Sequence, residues 1–136
     1  MTALTAARNT PAMMPGASSH PVKGATTLFA GALACLSATG FAIPGTPALN
    51  LIAVGRVKKT VVNAGADGDV RAEIESGVFR WANSASADAI TRAEIGDDCY
   101  VVDDQTVAKT DGSGARSKAG RIVQVDAQGV WVRSTL

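Results

Sequence analysis

The chain has 136 residues, enough for one domain with a sizeable core but too few for two complete ones. Thirteen Lys and Arg against twelve Asp and Glu leave a formal net charge of +1, which gives no overall basic field of the kind sequence-independent nucleic-acid binding uses. One His and two Cys exclude a His-based metal cage and a scaffold held by several disulfides, and three Phe, two Trp and one Tyr in an Ala-rich chain leave the core to small and β-branched side chains.

Every acidic residue lies after position 66. Residues 1–66 carry Arg8, Lys23, Arg56, Lys58 and Lys59, a net +5, and residues 67–136 carry eight bases and twelve acids, a net −4. Head and tail can therefore attract one another, within a subunit or between subunits. Residues 1–24 hold Pro11, Pro15, Gly16 and Pro21 among small polar residues, without helical or strand periodicity. They read as an extended arm that becomes ordered only against a partner. Met13 and Met14 are the only large apolar residues between Leu4 and Val22, and adaptable Met side chains suit contact with an uneven surface.

Residues 25–43, ATTLFAGALACLSATGFAI, are uncharged, and Ala32 to Cys35 has some likeness to a lipoprotein cleavage site. A secretory signal opens with basic residues close to its start, whereas here about two dozen mixed residues come first. The stretch is too rich in Thr, Ser and Gly for a membrane span. Cys35 and Cys99 accordingly read as small buried apolar groups rather than a disulfide.

Short runs of β-formers then alternate with turns. Leu28 to Leu36 is followed by a turn at Ser37 to Gly40; Phe41 to Ile43 runs into Pro44-Gly45; Leu51 to Val57 and Lys58 to Val62 precede a polar loop, Asn63 to Asp69. From Val70 the alternation is clean, with Val70, Ala72 and Ile74 on one face and Arg71, Glu73 and Glu75 on the other. Phe79 and Trp81 share a face opposite Val78 and Arg80. Residues 84–96 are the one helical interlude, where Thr91 and Glu94 have capping-box spacing and Gly96 ends the turn. Strands resume at Cys99 to Val102, Thr106 to Lys109, Ala119 to Val125 and Val130 to Arg133. The expected fold is all-β: a compact β-sandwich or small barrel over residues 25–136, with the N-terminal arm and at most one short helix.

No catalytic kit emerges. Asp97-Asp98 and Asp103-Asp104 flank an apolar strand without EF-hand spacing, and such residues ordinarily sit in solvated turns. His20 stands in the arm without a nucleophile or an orienting partner. The acidic neighbours of Cys99 disfavour a thiolate. Gly112-Ser113-Gly114 lacks the Gly-Lys-Ser/Thr ending and the following helix of a phosphate loop. Phe79, Trp81, Tyr100 and Trp131 read as packing anchors rather than a stacking platform, with Trp131, near the C-terminus, equally suited to cap the core or a subunit contact. No catalytic, cofactor or metal residue is assigned.

Residues 77–132, GVFRWANSASADAITRAEIGDDCYVVDDQTVAKTDGSGARSKAGRIVQVDAQGVWV, carry a resemblance. The pattern AIT-A-IG--CYVVDDQTVAKT followed by R--AG-I--VDA-GVWV resembles the capsid cement, or head decoration, proteins of tailed bacteriophages. The likeness extends more loosely through LFAGALACLSATGFAIPG and LIAVGRV to the opening Thr5, Ala6, Arg8, Asn9, Thr10 and Pro11, and it departs at the Ala- and Met-containing residues 12–19. It implies a non-enzymatic virion protein without cofactors, made in the bacterial host cytoplasm, that binds the outside of the major capsid protein shell and bridges neighbouring subunits. It also implies self-association, often as a homotrimer though other stoichiometries occur, with no direct nucleic-acid or membrane contact. Under this expectation residues 1–24 lie along the shell or a neighbour, with Arg8, Met13, Met14 and His20 as contact residues. A phage tail or baseplate component and an exported lipoprotein or carbohydrate-binding module are the alternatives.

Overall fold

The computed structural model describes residues 2–13 and 16–136, so Met14 lies outside the described residues. Its strands are β1 (Ala17–Pro21), β2 (Thr26–Leu28), β3 (Leu33–Leu36), β4 (Ala42–Pro44), β5 (Ile52–Val57), β6 (Val61–Asn63), β7 (Arg71–Glu75), β8 (Val78–Asn83), β9 (Asp98–Val101), β10 (Thr106–Ala108), β11 (Lys118–Asp126) and β12 (Gly129–Ser134). Helical structure is confined to two single 3₁₀ turns, Ser86–Asp88 and Arg92–Glu94. The all-β expectation holds.

Strands β8 to β12 form a closed barrel in the order β10-β8-β12-β11-β9. The first half of the chain forms a five-stranded sheet, β1-β7-β5-β3-β4, and β2 pairs with β6 beside it. An isolated parallel bridge between Val22 and Ala42 ties the two edges of that sheet together at one corner. Pro44 is accommodated because β4 is an edge strand and a proline there costs no ladder bond on the open side.

Two apolar clusters fill the molecule. Leu33, Cys35 and Ala53 join the barrel cluster of Trp81, Ile90, Cys99, Val101, Val107, Ile122, Val130 and Val132. Ala34, Val54 and Val57 join the other, with Val22, Leu28, Ala42, Ala72 and Ile74. Successive residues of β3 and β5 thus face opposite cores, and these two strands are a common wall, buried on both sides, which is why they read as near-continuous apolar runs. Where one face is wet the alternation survives. In β7, Ala72 and Ile74 are buried while Arg71 and Glu73 are exposed.

Two expectations are corrected. The arm does not extend to residue 24: Ala17–Pro21 pairs antiparallel with β7, placing His20 opposite Ala72, and Val22 is fully buried. Five residues next to prolines carry too little periodicity to announce a strand, and the ordering comes from the β7 edge. Leu28 to Leu36 is likewise two strands, since Gly31, at φ +88°, turns the chain between them. The helical interlude contains the expected capping box in full: the Thr91 hydroxyl accepts from Ala93 N at 3.2 Å and the Glu94 carboxylate accepts from Thr91 N at 3.0 Å. In the Asn63 to Asp69 loop, the buried Asn63 amide donates to the carbonyls of Val22 and Ala66, each at 2.9 Å, and accepts from Gly65 N.

Candidate functional site

The residue groups that most invite a chemical reading are tied up locally. Asp98 is paired with Lys118 at 3.0 Å and Arg121 at 3.9 Å, while the Asp103 carboxylate accepts from Gln105 N in its own turn. Among the described residues no three His, Cys, Asp or Glu side chains converge on a point where a metal could sit. The Gly112–Gly114 tip is folded back on Asp111, whose carbonyl accepts from the backbone N–H groups of Ala115 and Arg116. Arg116 is held by Asp88 Oδ2 at 3.2 Å and by the Thr110 carbonyl. The Thr110 hydroxyl and Arg116 together keep the Asp88 carboxyl below the usual carboxylate range. Nothing at this tip aims converging amides outward. Burial pushes both free thiols up to about 12, helped at Cys99 by the Asp98 charge, so neither is a thiolate at neutral pH.

The N-terminal region is arranged differently. Residues 2–13 are exposed throughout, Arg8 among them, and Met13 is 75% exposed. Met13 lines a shallow cleft with Ser18, Ser19, Arg71 and Glu73 on the outer side of β1 and β7. Arg71 clamps the two strands by donating to Ser19 Oγ at 3.0 Å and to the Ser19 carbonyl at 2.7 Å. Along Ala17–His20 the backbone pairs with β7 only, leaving its other edge open among the described residues. His20 is half-buried on this strand, its Nε2 in hydrogen-bond contact with Ser18 Oγ at 2.8 Å. Burial, and then the Arg71 charge, lower its pKa from 6.5. No carboxylate among the described residues bonds the other ring nitrogen, so the Ser-His pair lacks the orienting third group of a nucleophilic triad. The structure therefore brings Met13 and β1 into one surface, gives Arg8 no described contact, and seats His20 within the sheet rather than in a free arm.

A second concavity lies where the β2–β3 loop, β5, β8 and β12 meet. It has a volume of about 310 Å³ and is lined by Gly31, Arg56, Val78, Phe79, Arg80, Trp81 and Trp131. The Arg56 guanidinium lies 4.5 Å from the Phe79 ring centroid and that of Arg80 lies 5.7 Å from Trp131. Trp81 is buried as an anchor, as its strand position predicts, and Phe79 meets it edge-on at 6.2 Å. Trp131, expected to cap either the core or a subunit contact, stands half-exposed on the outer face, with its indole N–H donated to Asp126 Oδ2 at 3.1 Å. Arg56 and Arg80 were not singled out from the sequence. Their place beside the rings follows from the strand register, Trp131 opposite Arg80, which no local pattern reveals.

We compared the chain with protein-family models, curated proteins and solved structures, and none of them matches it. Among the described residues no helix is long and apolar enough to cross a membrane.

Proposed function

We propose that the chain is a capsid cement protein, binding the outer surface of a tailed-phage shell and bridging neighbouring major capsid protein subunits. The observation that carries this reading is the layout of the N-terminal region: an exposed segment, residues 2–13, leads towards an edge strand whose outer backbone is open. An extended segment of this kind adds contact area across a seam for little mass, and an open edge accepts a further strand from a partner. The sequence resemblance supports the same reading, with its most specific piece, Cys99 to Thr110, forming β9, the Asp103-Asp104 turn and β10 of the closed barrel. Binding the assembled shell and not its free subunits shifts the equilibrium towards the shell. Copies that self-associate, as a trimer or another closed ring, engage many sites at once, so each contact need only be modest.

The test uses expanded, undecorated heads. The full chain is expected to saturate them, and a variant lacking residues 2–13 but retaining β1 is expected to lose most of its occupancy. Equal occupancy by the shortened chain removes the arm from the mechanism; absence of binding by the full chain overturns the reading itself.

A further inference from the structure

We propose that the cleft between the barrel and the first sheet docks an acidic segment of a protein partner, with a carboxylate seated at Arg80 and apolar side chains resting on Trp131 and Val78. This goes beyond shell binding through the arm and uses none of the arm's residues.

The charge is the first argument. Arg56 is already matched by Glu75 at 2.8 Å, but no carboxylate of the described residues comes within ion-pair distance of Arg80 or Arg133. The nearest polar partner of Arg80 is the uncharged Gln128 Oε1, at 3.5 Å. Arg80 stands opposite Trp131 and Arg133 opposite Val78 in adjacent cross-strand rows of the barrel's outer face. That face thus presents two guanidiniums outside ion-pair distance of any described carboxylate, beside a half-exposed indole and a Val that is 41% exposed. Asp126 is close enough to Arg80 that its carboxyl, held down first by the Trp131 hydrogen bond, is lowered further by that charge. Arg and Trp together are the side chains that dominate binding energy at protein interfaces.

Preorganisation is the second. The Arg80 guanidinium carbon lies 5.7 Å from the Trp131 ring centroid, and contact with the ring restrains a side chain that can receive a carboxylate in two parallel hydrogen bonds. That restraint lowers the rotamer freedom lost on binding.

The flanking groups select the class of ligand. Glu75 holds one side of the cleft, and the Asp126 carboxylate lies against the Trp131 indole. A nucleic-acid strand needs successive cations along its track, and these two carboxylates repel a continuous run of phosphates. A single carboxylate meets Arg80 between them. A volume of about 310 Å³ is at the small end of ligand cavities and has room for a side chain.

The test titrates the full chain with a short peptide carrying a single Glu among Leu and Ser residues, a matched peptide with Gln in its place, and single-stranded oligothymidylate, following Trp131 fluorescence. Trp81 also lines the cleft though only 6% exposed, so the titration is repeated with Trp131→Phe, which is expected to abolish the change. The Glu peptide is expected to bind in a salt-sensitive manner, and Arg80→Gln is expected to weaken it about tenfold or more. Arg92→Gln, on an exposed turn outside the cleft, is expected to leave it unchanged. Near-UV circular dichroism checks that Arg80→Gln keeps its fold. No binding of the Glu peptide, equal binding of the Gln peptide, no loss on Arg80→Gln, or tighter binding of oligothymidylate each overturns the proposal. Head occupancy by Arg80→Gln, measured separately, reads the arm-mediated contact and does not bear on this cleft.

Discussion

His20 is the chain's one imidazole, and its place on β1 gives the molecule a pH dependence that a single resonance can follow. The groups around it are the Ser18 hydroxyl on its own strand and, on β7, the Arg71 guanidinium and the Ala72 backbone. None of them favours the charged ring, and burial and Arg71 both oppose it. The folded state therefore binds this proton less readily than the unfolded chain does. The stability contributed by neutral His20 is complete above the ordinary pKa of 6.5 and declines as the pH falls from there through the lower folded value. Asp88, Glu94 and Asp126 are also held below their ordinary values, by hydrogen bonds from Thr110, Thr91 and Trp131 respectively. Their contribution is present above the ordinary carboxylate pKa of roughly 4 and is lost at lower pH, so the two windows separate. Proton NMR of the imidazole is expected to give a midpoint below 6.5, and His20→Gln is expected to remove the slope of unfolding free energy between about pH 7 and 5 while keeping the steeper fall in acid. A midpoint at or above 6.5 contradicts the described burial.

At the scale of elements, β5 depends on a single irregularity. Ala34 faces Gly55 but Cys35 faces Ala53, so Val54 is an extra residue on β5. The bulge changes the strand's parity: Val54 and Val57, three residues apart, reach the same core, and Arg56 turns out to lie over Phe79. Gly55 sits at φ +152°, where a Cβ would fall on the Glu75 carbonyl oxygen. Gly55→Ala is expected to cost more than about 3 kcal/mol or to prevent folding. Gly40→Ala, at φ +87° with open space around it, is expected to cost about 1 kcal/mol. Urea denaturation of both variants measures the contrast, and equal costs would mean that the bulge is not the constraint. Nothing in LIAVGRV announces this bulge, because Ala53, Val54 and Gly55 are buried in succession and leave no alternation to interrupt. The β7 and β8 alternation was legible because one face of each is more exposed, and the Thr91–Glu94 cap because its partners are three residues apart. Cross-strand neighbours such as Arg80 and Trp131, some 50 residues apart in the chain, were not.

For the whole molecule the shared wall decides how it unfolds. Two β units with separate cores, one of seven strands and one of five, invite the expectation of two melting steps, one for each half of the chain. That requires each unit to survive without the other. Here β3 and β5 belong by hydrogen bonding to the first sheet, while Leu33, Cys35 and Ala53 on them complete the core of the barrel. Unfolding the first sheet removes those three side chains and exposes Ile122, Val101 and their neighbours to water; unfolding the barrel strips the opposite face of the same strands. Further ties cross between the halves: Leu33 N donates to the Asp104 carbonyl at 2.7 Å, the Ser117 hydroxyl bonds the Ala48 carbonyl, and the Thr135 hydroxyl bonds that of Ala53. Neither half keeps a complete core alone, so the expected behaviour is one cooperative transition. Both tryptophans, Trp81 and Trp131, lie in the barrel and report on it alone, whereas far-ultraviolet circular dichroism reports strands of both halves. In urea the two signals are expected to give coincident curves with a common midpoint and slope. A fluorescence transition displaced from the dichroism transition would show that the barrel holds together without the β3–β5 wall.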